Sequence, residues 1–447
     1  MKKMSTPICD FVQKYADSKQ LRLHMPGHKG TGILGIESRD ITEIEGADVL
    51  YRAKGIIKGS EENAALLFDT AVTKYSTEGS SLSIRAMLYL VMLYAKSMGR
   101  EPKILAGRNA HHTFMTAAAL LDLQVSWLYP ETWESLVSCE ITAEYLDKVL
   151  KECKPTAVYI TSPDYLGNIA DIAGISAVCC KHDILLLVDN AHGAYLNFLP
   201  ENRHPIALGA DVCCDSAHKT LPVLTGGGYL HISKHAPRMF CEHIESAMAL
   251  FASTSPSYLI MQSLDIANRY LTEGYKEKLA EFVQRMDGLK KNLTRYGFTL
   301  IGEEPLKITI SSKDYGYTGD ELAEMLMEKG IVCEFADPDF LVMMFTPEIQ
   351  EESLEYLESV LCSVPKKVAI TTKPPMISKP EQVCSIREAL FSVSREICAK
   401  ECVGQVLANT SIACPPAIPI VVCGERMDAE AVKSLEYYGV EKCRVVG

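Results

Sequence analysis

The chain has 447 residues, of which 47% are apolar and 23% charged; it is too long for one ordinary core and too apolar for disorder. A formal charge of -12 argues against a nucleic-acid partner, because phosphate binding needs a basic face, and it fits a cationic substrate as well as a plain solvated surface. The 16 cysteines are scattered, the opening MKKMSTPICDF has no apolar segment after its lysines, and no apolar run approaches the length of a membrane span, so the expectation is a reduced, cytoplasmic protein without a bilayer segment.

From Ser60 to about Ser233 short apolar strands alternate with helical stretches. KILAG (103–107), TAVYITSP (156–163), ILLLVDNAHG (184–193) and ADVCCDSAHK (210–219) read as strands, while 81–99 and 173–183 read as helices. That alternation predicts an α/β fold with a mainly parallel sheet and crossover helices. Each strand runs into polar, reactive residues: Arg108 to His111, Ser162 to Tyr165, Asp189 to His192 and Ser216 to Lys219. In such a sheet these strand ends line one edge, where ligands bind.

Pro256 to Tyr296 reads as long helix leading into a second unit. There, LKITISS (306–312) alternates as a strand, Thr318 to Glu321 forms a capping box for a helix over 321–330, and 331–337 and 340–347 read as further strands. A proline-rich connection, 367–380, precedes an expected helix over 387–404 and the segment ACPPAIPIVVCGE (413–425). The organisation expected is an N-terminal segment (1–59), a large α/β domain (60–300) and a smaller C-terminal α+β domain (301–447).

Lys219 stands at a strand end just before Gly226-Gly227-Gly228. A lysine held in a cleft among other groups has its amine pKa depressed and forms a Schiff base with an aldehyde, whereas an ordinary lysine points into water. Asp189 lies 30 residues upstream (219 − 189), closing ILLLVD. Pyridoxal 5'-phosphate works as an electron sink when its pyridine nitrogen stays protonated, and a buried carboxylate beneath that nitrogen keeps it so; the alternative for such an aspartate is to cap the next helix. Glu78-Gly79-Ser80-Ser81, ahead of an amphipathic helix, offers backbone N–H groups and two hydroxyls to a phosphate dianion, Ser216 and His218 offer further donors, and His111 offers a ring face. Each of these taken singly is explained as well by a helix cap or a satisfied polar group. Their chain order and the aspartate-to-lysine interval point together to a cofactor site. The adjacent His111 and His112 lack metal-ligand spacing, and no metal is expected.

The segments LHMPGHKG (23–30), GRNAHHT, TSPDYLGNIADI, VDNAHGAY, DSAHKTLPVLTGGGYLHI, STSPSYLIMQSLD and PPAIPIVVCGE resemble the short form of the bacterial ornithine/lysine/arginine decarboxylases, pyridoxal-phosphate enzymes of the aspartate-aminotransferase fold, type I. The resemblance implies Lys219 as the Schiff-base lysine, Asp189 as the pyridinium partner and His111 stacked on the ring. It implies phosphate contacts from Ser80, Ser81, Ser216 and His218, and His192 beside the cofactor. Thr254 and Ser255 would reach the site of a neighbouring subunit in a homodimer or higher homo-oligomer. The expected activity is decarboxylation of a basic amino acid, arginine or lysine before ornithine, with Lys219, His218 or a water protonating the α-carbon. Glu334 and Asp337 are candidates to hold the distal cation. Other type I reactions, aminotransferase or lyase, would call for a buried arginine clamp in the small domain, of which no motif is seen. A noncatalytic relative is the third reading, prompted by departures at Glu78, His112, Leu166, Asn190, Gly226, Cys414, Ala417 and Cys423.

Overall fold

The computed structural model describes residues 3–130, 135–376, 379–409 and 417–447. The chain packs as two compact units, each discontinuous in sequence: Met1–Pro102, Glu152–Ile160 and Ile172–Leu279 form one, and Lys103–Lys151, Thr161–Asp171 and Ala280–Gly447 the other. Among the described residues no helix is long and apolar enough to cross a membrane.

The first seven strands in chain order are β1 (Val72–Ser76), β2 (Lys103–Gly107), β3 (Gln124–Leu128), β4 (Ala157–Thr161), β5 (Leu185–Asp189), β6 (Val212–Asp215) and β7 (Gly228–Ile232). Five of them belong to the first unit, in the order β1-β7-β6-β5-β4. β5 and β6 run parallel, with Asp189 opposite Cys214. Every residue of β5 (LLLVD) is buried, which is why its apolar run is continuous and not alternating. The helix Gly79–Ser97 follows β1 directly, and its leucines, methionines and alanines, with Leu82, Met87, Leu88, Leu90 and Val91 fully buried, form the face that packs on β6 and β7.

The expected mainly parallel sheet is present, with one strand reversed. β7 runs antiparallel to both β6 and β1. The only helix between β6 and β7 is the single turn Ala217–Thr220, too short to carry the chain back across the sheet, so the next strand returns in the opposite sense. That reversal joins Lys219 to the glycine run at the start of β7.

In the second unit β2 and β3 pair in parallel, and a separate antiparallel sheet has the order β10-β11-β9-β8, from β8 (Leu300–Ile301), β9 (Lys307–Ser311), β10 (Phe335–Ala336) and β11 (Phe340–Met344). The strand expected over 331–337 shrinks to β10, because Asp337-Pro338 turns the chain at once into β11. The helix expected over 387–404 divides into a short helix, Ile386–Phe391, and a strand, Ser394–Cys398. The strand pairs antiparallel with Lys442–Val446, a partner so far downstream that local pattern carries no trace of it. Of the segment 413–425, residues 413–416, Cys414 among them, lie outside the described residues.

The expected capping box is present: Thr318 Oγ1 accepts from Glu321 N at 3.1 Å, and the Glu321 carboxylate accepts from Thr318 N at 2.8 Å, opening the helix Gly319–Met327. Thr318→Ala leaves the Glu321 N–H without its side-chain partner. It should lower stability by about 1 kcal/mol, read as a shifted midpoint at unchanged slope in urea unfolding.

Candidate active site

In the first unit the chain brings together the ends of β5 and β6, the turn after β1 and the start of β7. Asp189 closes β5 and is buried. Its carboxylate accepts from Tyr159 Oη at 3.0 Å and Ala191 N at 3.2 Å, with Cys214 Sγ at 3.6 Å. Burial pushes its pKa above the usual carboxylate value, while the charge of Lys219 and these bonds pull the other way. The donors are neutral. A second cation close to Asp189 therefore finds an anion already stripped of water.

Lys219 follows β6 in the turn Ala217–Thr220, half-buried, with Nζ 2.9 Å from Nε2 of the buried His192. His192 comes from the loop after β5, so the amine is held by the strand that also carries Asp189. The two residues of the sequence argument, with His192, sit in one place.

The turn after β1 is a cradle. Gly79 has φ +64°, a conformation that favours glycine, and its N–H donates to Gly226 O at 2.7 Å. A Cβ on Gly228 would lie 2.8 Å from Asp215 O and 3.2 Å from Gly79 C, so only glycine lets β7 pass this close. Ser216 Oγ donates to Ser80 Oγ at 2.9 Å and accepts from Ser80 N at 3.4 Å, which ties the end of β6 to the first turn of the helix Gly79–Ser97. Ser81 is the next residue of that turn. Glu78, at the N-cap position, makes no side-chain cap bond to the helix start, whose N–H groups with the two hydroxyls suit a phosphate dianion.

Glu78 would set a negative charge against that dianion, but its carboxylate turns to the loop before the helix Tyr258–Thr272 and accepts from Ser253 N at 2.8 Å. Thr254 and Ser255 follow in the same exposed loop. His218 lies beside the cradle, its Cε1 3.6 Å from where a Gly79 Cβ would stand. Its Nδ1 bonds Gly227 O at 2.9 Å, so Nδ1 carries the proton. Burial pushes its pKa below the usual histidine value, leaving a neutral ring with Nε2 as acceptor.

Behind the cradle is a network that sequence reasoning missed. Asp215 Oδ2 lies 3.0 Å from His204 Nε2 and 3.2 Å from His231 Nε2, and Oδ1 accepts from Asn190 Nδ2 at 2.8 Å, all of it fully buried. Asn190, a departure from the family pattern, thus anchors the residue after Asp189 to the residue before Ser216. Tyr159 was missed as well; nothing in TAVYITSP separates it from an ordinary core tyrosine.

Four strand ends were expected to line one edge; those after β2 and β4 belong to the second unit. Arg108 is buried there, donating to Pro419 O at 2.8 Å and Ile420 O at 3.0 Å, with Glu425 Oε2 at 3.3 Å. It anchors the C-terminal segment. His111 caps the helix His112–Leu121, its Nδ1 accepting from Thr113 N at 3.1 Å, and its ring stacks on His112 with centroids 5.2 Å apart. After β4, Ser162 Oγ accepts from Ala170 N and Asp164 from Asn168, local bonds that shape the loop. Of the two candidates for a distal cation, Glu334 is exposed and accepts from Tyr165 Oη at 2.7 Å, whereas Asp337 is buried.

The family model described as Orn/Lys/Arg decarboxylase, major domain, matches residues 6–303. The chain belongs to that family. It is a pyridoxal-phosphate-dependent decarboxylase. Similar proteins include the arginine decarboxylase of Bacillus subtilis (strain 168), 28% identical over 97% of this chain and 93% of its own length. The uncharacterized protein YaaO of the same organism is 29% identical over 99% of this chain and 96% of its own. The structure of the constitutive lysine decarboxylase of E. coli covers 99% of this chain and 82% of its own at a TM-score of 0.79, with 18% identity. The fold is accordingly that of type I pyridoxal-phosphate enzymes. The residues of the first unit fit that cofactor: a buried carboxylate lacking a full counter-charge, an amine within its field, and a cradle that a Cβ would fill.

Gly228→Ala tests the cradle. The added methyl meets backbone on two sides, and overpacking of about 1–3 kcal/mol should weaken pyridoxal-phosphate binding by roughly tenfold or more, measured by equilibrium titration of the apoprotein.

Proposed function

We propose that this chain decarboxylates a basic amino acid, arginine or lysine ahead of ornithine, giving the corresponding amine and CO2. The observation that carries the reading is Asp189, buried among neutral donors and within the field of Lys219. The choice of substrate is supported by the arginine decarboxylases of Bacillus subtilis and Bacillus anthracis among its relatives and by the family description.

When bound, pyridoxal phosphate supplies an aldehyde that bonds amines and a ring that accepts the electron pair left as CO2 departs. Asp189 holds the proton on the pyridine nitrogen, since an ion pair there relieves the burial of the carboxylate. Lys219 Nζ is the amine that would hold the cofactor through its aldehyde. His192 Nε2, at 2.9 Å, orients Nζ and takes a hydrogen bond from it. Ser80, Ser81 and Ser216 would hold the phosphate, with His218 at its edge. Because neutral His218 offers an acceptor at Nε2, we assign protonation of the α-carbon to Lys219.

The working form we propose is a cytoplasmic homodimer or higher homo-oligomer, with Thr254 and Ser255 reaching the site of the neighbouring subunit. The stretch 21–36 supports it: Leu21, Leu23, Ile33 and Leu34 are at least 80% exposed, a concentration of bare aliphatic side chains that suits a covered surface.

Purified holoprotein given arginine, lysine and ornithine in turn should release CO2 and the matching amine from one of them. Lys219→Ala should abolish turnover together with the visible absorbance of the bound cofactor. Asp189→Asn keeps a group for Tyr159 to bond but cannot hold the ring charge, and should lower kcat by on the order of 10²-fold or more, the scale of losing a group that manages a proton. Turnover that survives Lys219→Ala overturns the assignment.

A further inference from the structure

The second unit has a half-open cavity of about 280 Å³ between the β10–β11 hairpin and the turn after the helix Ala429–Tyr437. Its walls are apolar and aromatic, from Leu136, Ile420, Phe335, Tyr437 and Tyr438. Among the described residues its one buried carboxylate is Asp337, 8% exposed, and Asp320 stands at the same cavity.

Asp337 has a structural job that uses half of it. Oδ1 accepts from Asp339 N at 2.8 Å and Phe340 N at 2.7 Å, closing the hairpin turn. Among the described residues Oδ2 receives no hydrogen bond. An asparagine would make both turn bonds through its side-chain carbonyl without the cost of a buried charge, so the turn does not explain the acid. Next to it Asp339, 5% exposed, is bonded at Oδ1 by Lys313 Nζ and Tyr437 Oη, both at 2.7 Å, while its Oδ2 is buried without a partner. Among the described residues the one cation in this group, Lys313, is thus turned to Asp339.

We propose that this cavity binds the cationic end of an alkylamine or alkylguanidine, whose charge meets Asp337 Oδ2 and whose stem lies against the aromatic and aliphatic walls. Aromatic faces beside a carboxylate recognise an organic cation by two additive effects, ion pairing and attraction to the ring quadrupole. A hydrated metal ion would gain nothing from Leu136 and Ile420. The ligand class rests on the decarboxylase reading, in which both substrate and product are such cations; the carboxylate and the walls do not depend on it.

The charges around the cavity set a pH signature. Burial pushes Asp337 up to about 7, the bonds from Phe340 and Asp339 oppose this, and the charges of Asp339 and Asp320 add to it. The other groups facing it are Lys313, already paired, and the phenols of Tyr437 and Tyr438, which burial pushes upward and keeps neutral. The cation binds the ionised carboxylate, so affinity should rise with pH up to about 7 and fall about tenfold per unit below it; the ligand itself stays charged to about pH 10. Binding near neutrality should release part of a proton.

The test is calorimetric titration of the holoprotein with 1,5-diaminopentane and 4-guanidinobutylamine, with 1,5-pentanediol as the uncharged control. It is run in two buffers of different ionisation enthalpy and repeated on Asp337→Asn, which preserves the turn. The expected result is amine binding with proton release in the wild type, at least tenfold weaker in Asp337→Asn, and no binding of the diol. Binding at the cofactor is followed separately by its absorbance. If KM for the amino acid rises with kcat retained in Asp337→Asn, the cation is that of the substrate side chain; if KM is unchanged, it is a free amine acting as effector. Amine affinity equal in both proteins, or wild-type binding without proton release, overturns the proposal. Because the titration needs no turnover, failure of the decarboxylase reading would appear in the CO2 assay and not here.

Discussion

A carboxylate taken out of water needs a counter-charge, and Asp189 meets that need only in part. Tyr159, Ala191 and Cys214 give it hydrogen bonds without charge, and Lys219 contributes at a distance through its field. Burial of a bare anion is among the costliest arrangements a fold tolerates, and it persists where something else repays it. In the proposed site a protonated ring nitrogen would do so. The same interaction that relieves Asp189 would keep the ring electron-poor, giving the stability of the loaded protein and its chemistry one source.

The rest of the first unit serves that interaction by geometry. Parallel pairing of β5 with β6 puts Asp189 and the residues before Lys219 at adjacent strand ends. The Asp215 network with Asn190, His204 and His231 fastens those ends to each other from behind, at hydrogen-bond distances and out of solvent. In front, Gly79 and Gly228 let the β1 turn and the start of β7 approach closely, which puts the first helical turn at the proposed phosphate site. Glu78 is compatible with this because its charge is spent on Ser253.

Much of this was legible in the sequence, for identifiable reasons. The strand ending in Asp189 and the fragment DSAHKTLP announce themselves because a continuous apolar run that stops at polar residues has few meanings in an α/β chain. The capping box at Thr318 was legible because it is wholly local. What was not legible depends on distant partners. The antiparallel turn of β7, the strand Ser394–Cys398 and the Asp215 network each rest on pairings with residues far along the chain. His204 illustrates the limit: in Asn202-Arg203-His204-Pro205 nothing marks it, yet it is fully buried against Asp215. Likewise nothing in IVCEFAD marks Asp337, a candidate for the distal cation, as buried; only the hairpin buries it.

The central claim, that Asp189 keeps the cofactor nitrogen charged, is tested most directly by nitrogen-15 NMR of the protein loaded with ring-labelled pyridoxal phosphate. The account predicts a protonated nitrogen whose shift is constant from pH 6 to 9 and moves to the neutral value in Asp189→Asn. A neutral nitrogen in the unaltered protein, or a protonated one that is indifferent to Asp189→Asn, would contradict it.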